Sequence, residues 1–154
     1  MTNSALLRRR AAQLAKPMAL ESAPALELMV FNVGAALYAV PLAVVKGVLT
    51  DTVTPIPGVQ MWVAGCINVR GEIRSVIDAA VALDPRATPT ASNCVMLLET
   101  RFGVVGWLLA AWPHLQQVNA KDLQPALSGQ TAVMGVLLGT IALLEIDSLL
   151  ESLG

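Results

Sequence analysis

Charge is scarce in this chain. Of its 154 residues, 14% are Asp, Glu, Lys or Arg and 55% are hydrophobic, whereas a typical soluble domain is roughly a quarter charged. Histidine occurs once, cysteine twice, and aromatic residues make up 4%. Each shortage excludes something. One His and two cysteines far apart, Cys66 and Cys94, cannot supply the three or four ligands of an ordinary zinc site, so no metal and no cofactor is expected. With no secretion signal, the two cysteines read as reduced cytosolic thiols rather than a disulfide framework. The net charge of −1 leaves no basic footprint for nucleic acid. His114 follows Pro113 with no motif around it and reads as a surface or strand-edge residue, not a general base. Neither a GxSxG elbow nor a phosphate loop occurs; Ser128-Gly129 fits neither pattern. No catalytic residue is assigned, and an enzyme is the weaker class.

The apolar surplus must go somewhere: into a membrane, or under partner surfaces. Residues 28–45 and 123–144 contain no charged residue, and about 20 apolar residues suffice to cross a bilayer. Gly34 and Pro41 interrupt the first stretch, however, and QPALSGQT opens the second. The dense apolar runs between such breaks are short, which is the punctuation of buried strands. The chain is therefore expected to be cytoplasmic, without direct membrane insertion. Arg8, Arg9, Arg10 and Lys16 precede no long apolar core, which argues against a signal peptide.

Residues 4–15, SALLRRRAAQLA, space Leu7, Ala11 and Leu14 for a short amphipathic helix. A Pro/Ala-rich linker follows, and residues 1–25 form this N-terminal unit. Strand signals then come in two sets: LELMVFNV, ALYAV, LAVVKGVL, GCINV and EIRSVI, and after a DPRATPTAS linker, NCVMLLE, VVGWLLA, HLQQV, VMGVLL and TIALLEI. Short strands at close intervals predict an all-β fold. The sets also repeat. Gly34 and Gly103, and Tyr38 and Trp107, stand 69 apart; Val63-Ala-Gly65 recurs as Val133-Met-Gly135; Ile77-Asp78 recurs as Ile146-Asp147. Two copies of one five-stranded unit are expected, each ending in a short helix with Asp78 or Asp147 as its N-cap.

The string VAGCINVRGEIRSVIDAAVAL at residues 63–83 resembles the signature of CheW-like chemotaxis coupling proteins: an apolar strand, an Asn-Leu-Arg-Gly turn, a second strand and a terminal Asp. ELMVFNVGAALYAVPLAVVKGVLTDTVTPIPG, upstream, is similar to that family's opening hairpin, third strand and proline loop. AVMGVLLGTIALLEIDSLL, downstream, is similar to its closing strands and C-terminal helix.

This resemblance implies two intertwined five-stranded SH3-like barrels within residues 26–154, the first at about 35–90 and the second at about 91–147, with strands partly shared, plus short N- and C-terminal helices. It implies a non-enzymatic adaptor that couples the cytoplasmic tip of methyl-accepting chemoreceptors to the regulatory domain of a CheA-type histidine kinase, in the cytoplasm at membrane-associated receptor arrays that serve chemotaxis or twitching motility. The other reading is a generic SH3-like binding module of another signalling assembly. Arg70 matches the family's turn arginine, with Asn68 and Gly71 in the same turn, and Val45 matches a groove-side apolar position with Val48 beside it. Gly47 stands where many members carry an acid able to pair with that arginine, and Ala110 replaces a second acid. Apolar patches are expected near Val45 and Val48 and at a barrel end, since exposed patches of several hundred Å² mark interaction sites.

Overall fold

A computed structural model describes residues 25–125 and 133–153; the expected N-terminal helix and the 128–129 loop lie outside them. The order is β1 (Ala25–Val33), β2 (Ala36–Pro41), a 3-10 turn (Leu42–Val44), β3 (Val45–Thr50), β4 (Val63–Val69), β5 (Glu72–Asp78) and α1 (Ala79–Leu83). Then follow β6 (Cys94–Thr100), β7 (Gly103–Leu109), β8 (His114–Asn119), a 3-10 turn (Ala120–Asp122), β9 (Leu123–Pro125), β10 (Val133–Leu137), β11 (Ile141–Leu144) and α2 (Ile146–Leu153). All ten expected strands are present, and the short β9 is additional. No helix among the described residues is long and apolar enough to cross a membrane.

Two sheets form, in the orders β8-β1-β2-β11-β10-β9 and β3-β6-β7-β5-β4. Each sheet takes one hairpin from one half of the chain and its remaining strands from the other half. The exchange is made by parallel pairs, β2 with β11 and β5 with β7, at the centre of each sheet; all other pairings are antiparallel.

Strand register gives the true relation between the halves. Val76 pairs Gly106 and Leu143 pairs Ala39, so each residue matches one 67 positions away. Phe31–Tyr38 and Leu98–Val105 obey the same shift, as do Met29–Leu115 and Met96–Val48. The expected spacing of 69 is therefore wrong for the opening hairpins. Gly34 lies inside its turn, whereas Gly103 closes the next one opposite Thr100. Trp107 corresponds to Val40, not to Tyr38. The Val-x-Gly match does hold: Val63/Gly65 and Val133/Gly135 sit at the same β-bulge. A Cβ on Gly65 would stand 2.1 Å from the Thr54 carbonyl oxygen, and one on Gly135 2.6 Å from that of Gln124, so both glycines admit a neighbouring backbone.

Three apolar clusters absorb the surplus hydrophobicity. Leu28, Val30, Ala39, Val118, Leu137, Ile141 and Leu143 fill one barrel; Ile67, Val76, Val95, Leu97 and Leu108 fill the other. The third, with Phe31, Val40, Met96, Leu98, Trp107, Leu109, Leu144 and Leu149, spans strands of both sheets together with α1 and α2. Along β6, Val95 and Leu97 face a barrel interior while Cys94, Met96 and Leu98 face the shared cluster. A strand buried on both faces needs an unbroken apolar run, which is why CVMLL shows no alternation.

Candidate functional site

The β4–β5 hairpin closes through Val69 and Glu72, leaving Arg70 and Gly71 as a two-residue turn. Both have left-handed backbones, φ 53° and 86°, the type I′ geometry that matches strand twist. Glycine adopts it freely; an arginine there carries a local cost. Asn68 offsets part of it, its Oδ1 accepting a 2.8 Å hydrogen bond from the Gly71 N–H. Arg74 pairs with Glu72 at 2.6 Å, while Arg70 forms no ion pair among the described residues and is exposed. The structure thus brings Asn68, Arg70 and Gly71 together on a fixed, solvent-facing tip.

Val45, Gly47 and Val48 lie together on β3, at the opposite edge of the same sheet. Val45 and Val48 are half-buried against the shared cluster and so offer less apolar surface than expected. Gly47 lies opposite Leu97, next to a register shift in the strand, and a Cβ on it would meet nothing within 4 Å. Neighbouring Lys46 reaches Glu99 at 3.1 Å. Ala110 is exposed, just past β7.

Exposed apolar residues concentrate at hairpin ends and loops instead. Ile73, beside the Arg70 turn, is 66% exposed, and Leu138, in the β10–β11 turn, is 56% exposed. Leu138 and Gly139 have φ 53° and 72°, so Leu138 is the second barrel hairpin's counterpart of Arg70. A signal for it existed, since LLGT and VRGE each place a glycine second in the turn. Trp112, in the β7–β8 connection, is also exposed; by the 67-residue shift it corresponds to Val45, a relation that register alone reveals.

Asp78 behaves as expected. It is buried, and its carboxylate accepts hydrogen bonds from the N–H groups of Ala80 and Val81 at the start of α1 and from the Thr90 N–H and hydroxyl, the latter two at 2.7 Å. Asp147 does not: it lies inside α2 and accepts from the Arg101 N–H at 3.1 Å. By the 67-residue register, Glu145 occupies the place equivalent to Asp78. His114 opens edge strand β8 and is exposed. Burial pushes the Cys94 thiol pKa up. No group of three or more His, Cys, Asp or Glu suited to a metal occurs among the described residues.

The CheW-like domain model matches residues 27–153. The chain is 29% identical over 136 residues to a chemotaxis protein CheW of Rhizobium meliloti, covering 82% of this chain and 88% of that one. It is 28% identical over 105 residues to a chemotaxis protein CheW of Bacillus subtilis, covering 67% of each. In fold it matches the crystal structure of scaffolding protein TtCheW from Thermoanaerobacter tengcongensis with a TM-score of 0.72 and 21% identity, over 82% of this chain and 92% of the other. A match from Glu27 through α2, on two strand-exchanged sheets, means that the chain belongs to the CheW-like domain family.

Proposed function

We propose that this chain is a non-enzymatic coupling scaffold of a bacterial chemosensory array. It joins the regulatory domain of a CheA-type histidine kinase to the cytoplasmic tip of a methyl-accepting chemoreceptor, and works in the cytoplasm at the array. The observation that carries this reading is the tip of the β4–β5 hairpin. Arg70 stands exposed in a left-handed turn braced by Asn68, with exposed Ile73 beside it. A rigid cationic fork next to an apolar side chain suits a protein surface that offers a carboxylate within an apolar rim. The names of the relatives, chemotaxis proteins and a scaffolding protein, support the same class.

Val45 and Val48 serve as the groove-side apolar contacts and Gly47 leaves Arg70 without a competing acid on β3. Calorimetry with the purified kinase regulatory domain and a receptor tip fragment tests the scheme. Arg70→Ala should weaken one of the two complexes by about 1.5–3 kcal/mol, the value of a hydrogen bond to a charged group. Gly47→Glu should weaken the same complex, since the new carboxylate competes for Arg70 and repels the partner's. Tighter binding by Gly47→Glu overturns that role for Arg70, and no binding of either partner by the wild-type chain overturns the scaffold reading.

A further inference from the structure

Four strands stand at sheet margins, and three of them are protected. β9 is three residues long and ends in Pro125. β3 carries exposed Lys46 beside a register shift. β4 is covered by Thr54, which exchanges two backbone hydrogen bonds of 2.9 Å with Cys66. Short length, proline, lysine, a bulge or a covering segment are the usual means of keeping an edge from pairing with another chain. β8 uses none of them. Its six residues, HLQQVN, contain no proline and no Asp, Glu, Lys or Arg, and pair with β1 without a register shift. Among the described residues its outer N–H and C=O groups bond to no strand or loop.

The face beside this edge is apolar. Leu115 stands opposite Met29, so both point to the side of the sheet on which Met29 and Phe31 meet the shared cluster. Trp112 and Leu115 correspond by register to Val45 and Val48, which pack on the same cluster, yet they are 60% and 58% exposed. An apolar face alone would suit a helix; an apolar face with a free backbone edge suits a strand. We propose that β8 pairs with β8 of a second copy, antiparallel about a two-fold axis, and joins the six-stranded sheets of the two molecules. Three features of the strand fit a copy of itself. It is uncharged, so no like charges meet. Gln116 and Gln117 each donate and accept, so the same residues serve both molecules. The antiparallel order also brings the Trp112 end of each strand to the Lys121 end of the other. Lys121 is exposed, just past β8, and forms no ion pair among the described residues. Its ammonium, set over the indole face, gives the dimer one cation–π contact at each end. This edge belongs to the other sheet from Arg70 and is independent of the docking role given to that residue.

Sedimentation velocity of the full chain over a wide range of concentration tests it. The wild type should pass from one chain to two, and hydrogen exchange of the β8 amides should slow in step. Leu115→Lys, which sets lysines along the shared edge, should remain a single chain. Trp112→Ala should raise the dimer dissociation constant about tenfold, the loss of two cation–π contacts. Arg70→Ala should dimerise as the wild type does. A wild type that stays single at every concentration overturns the proposal. So does a dimer that both β8 variants leave intact, which would mean another surface. Protection of β8 that does not depend on concentration also overturns it, since the same chain would then cover the edge. Protection that appears only on adding the kinase regulatory domain or the receptor tip fragment overturns it too, and gives the edge to that partner. Should Leu115→Lys fail to fold, Trp112→Ala and Lys121→Ala, both outside the strand, carry the test: unchanged dissociation constants for both overturn the pairing.

Discussion

Gly106 of β7 lies against Val95 of β6 so closely that a Cβ on the glycine would stand 2.8 Å from the valine Cγ1 and 3.0 Å from the Val76 Cγ2. The equivalent position in the other barrel is Ala39, fully buried with its Cβ in place. Gly106→Ala should therefore overpack its barrel and destabilise the fold by about 1–3 kcal/mol. Urea denaturation reads the loss, and Val95→Ala in the same chain should recover part of it, because contacting sites do not add. Full additivity would remove the steric explanation.

Asp78 and Asp147 look alike in sequence and should behave differently. Asp78→Ala removes a helix cap worth about 0.5–2 kcal/mol and strands the Thr90 N–H and hydroxyl, so the total loss should exceed about 2 kcal/mol. Asp147→Ala removes one exposed bond to the Arg101 N–H and should cost under about 1 kcal/mol. Thermal unfolding of the two variants side by side decides it; similar losses would mean that Glu145 is not the counterpart of Asp78.

Arg70 holds a left-handed backbone at φ 53°, which costs a non-glycine residue about 1–2 kcal/mol. Arg70→Gly should leave stability unchanged or raise it by up to about 1 kcal/mol, while Arg70→Ala should keep the strain and unfold near the wild-type temperature. Both should lose the partner affinity assigned to the guanidinium. A large drop in melting temperature for Arg70→Gly would mean that the side chain supports the fold.

Cys94 sets a pH dependence. Its thiol is buried and its pKa is raised by desolvation, so above the ordinary thiol pKa near 8.5 the unfolded chain loses a proton that the folded chain keeps. The stability from this group is complete below that pH and falls as pH rises towards the folded-state value. Urea midpoints from pH 7 to 10 should decline more steeply for the wild type than for Cys94→Ala. Alkylation of the native protein should also reach half-buried Cys66 well before Cys94.

Most strands are legible because their apolar runs end at residues that break them, such as Gly71 after Arg70 or Pro113 before His114. The turn bearing Asn68, Arg70 and Gly71 was legible for the same reason. The repeat was legible, its register was not. Matching glycines and Ile-Asp pairs suggested 69, yet hydrogen bonding sets 67, and the hairpin from Val63 to Ile77 is three residues longer than that from Val133 to Leu144. Loop lengths shift letters without moving strands. The partial burial of Val45 and Val48 is not legible in the sequence because it comes from the shared cluster, a set of contacts made across the two halves.

The parallel junctions between β2 and β11 and between β5 and β7 also govern how the molecule is born. Neither half of the chain holds a complete sheet: the five-stranded sheet must wait for β7, and the sheet that contains β1 and β2 must wait for β11, close to the end of the chain. Until β11 emerges, β2 has an unpaired edge, and such edges invite pairing with other chains. Long-range closure of this kind slows folding, and a nascent chain stalled after residue 90 would expose both apolar faces of its opening hairpin. Once closed, the same exchange ties the halves into one cooperative unit: opening either barrel breaks strands of both repeats.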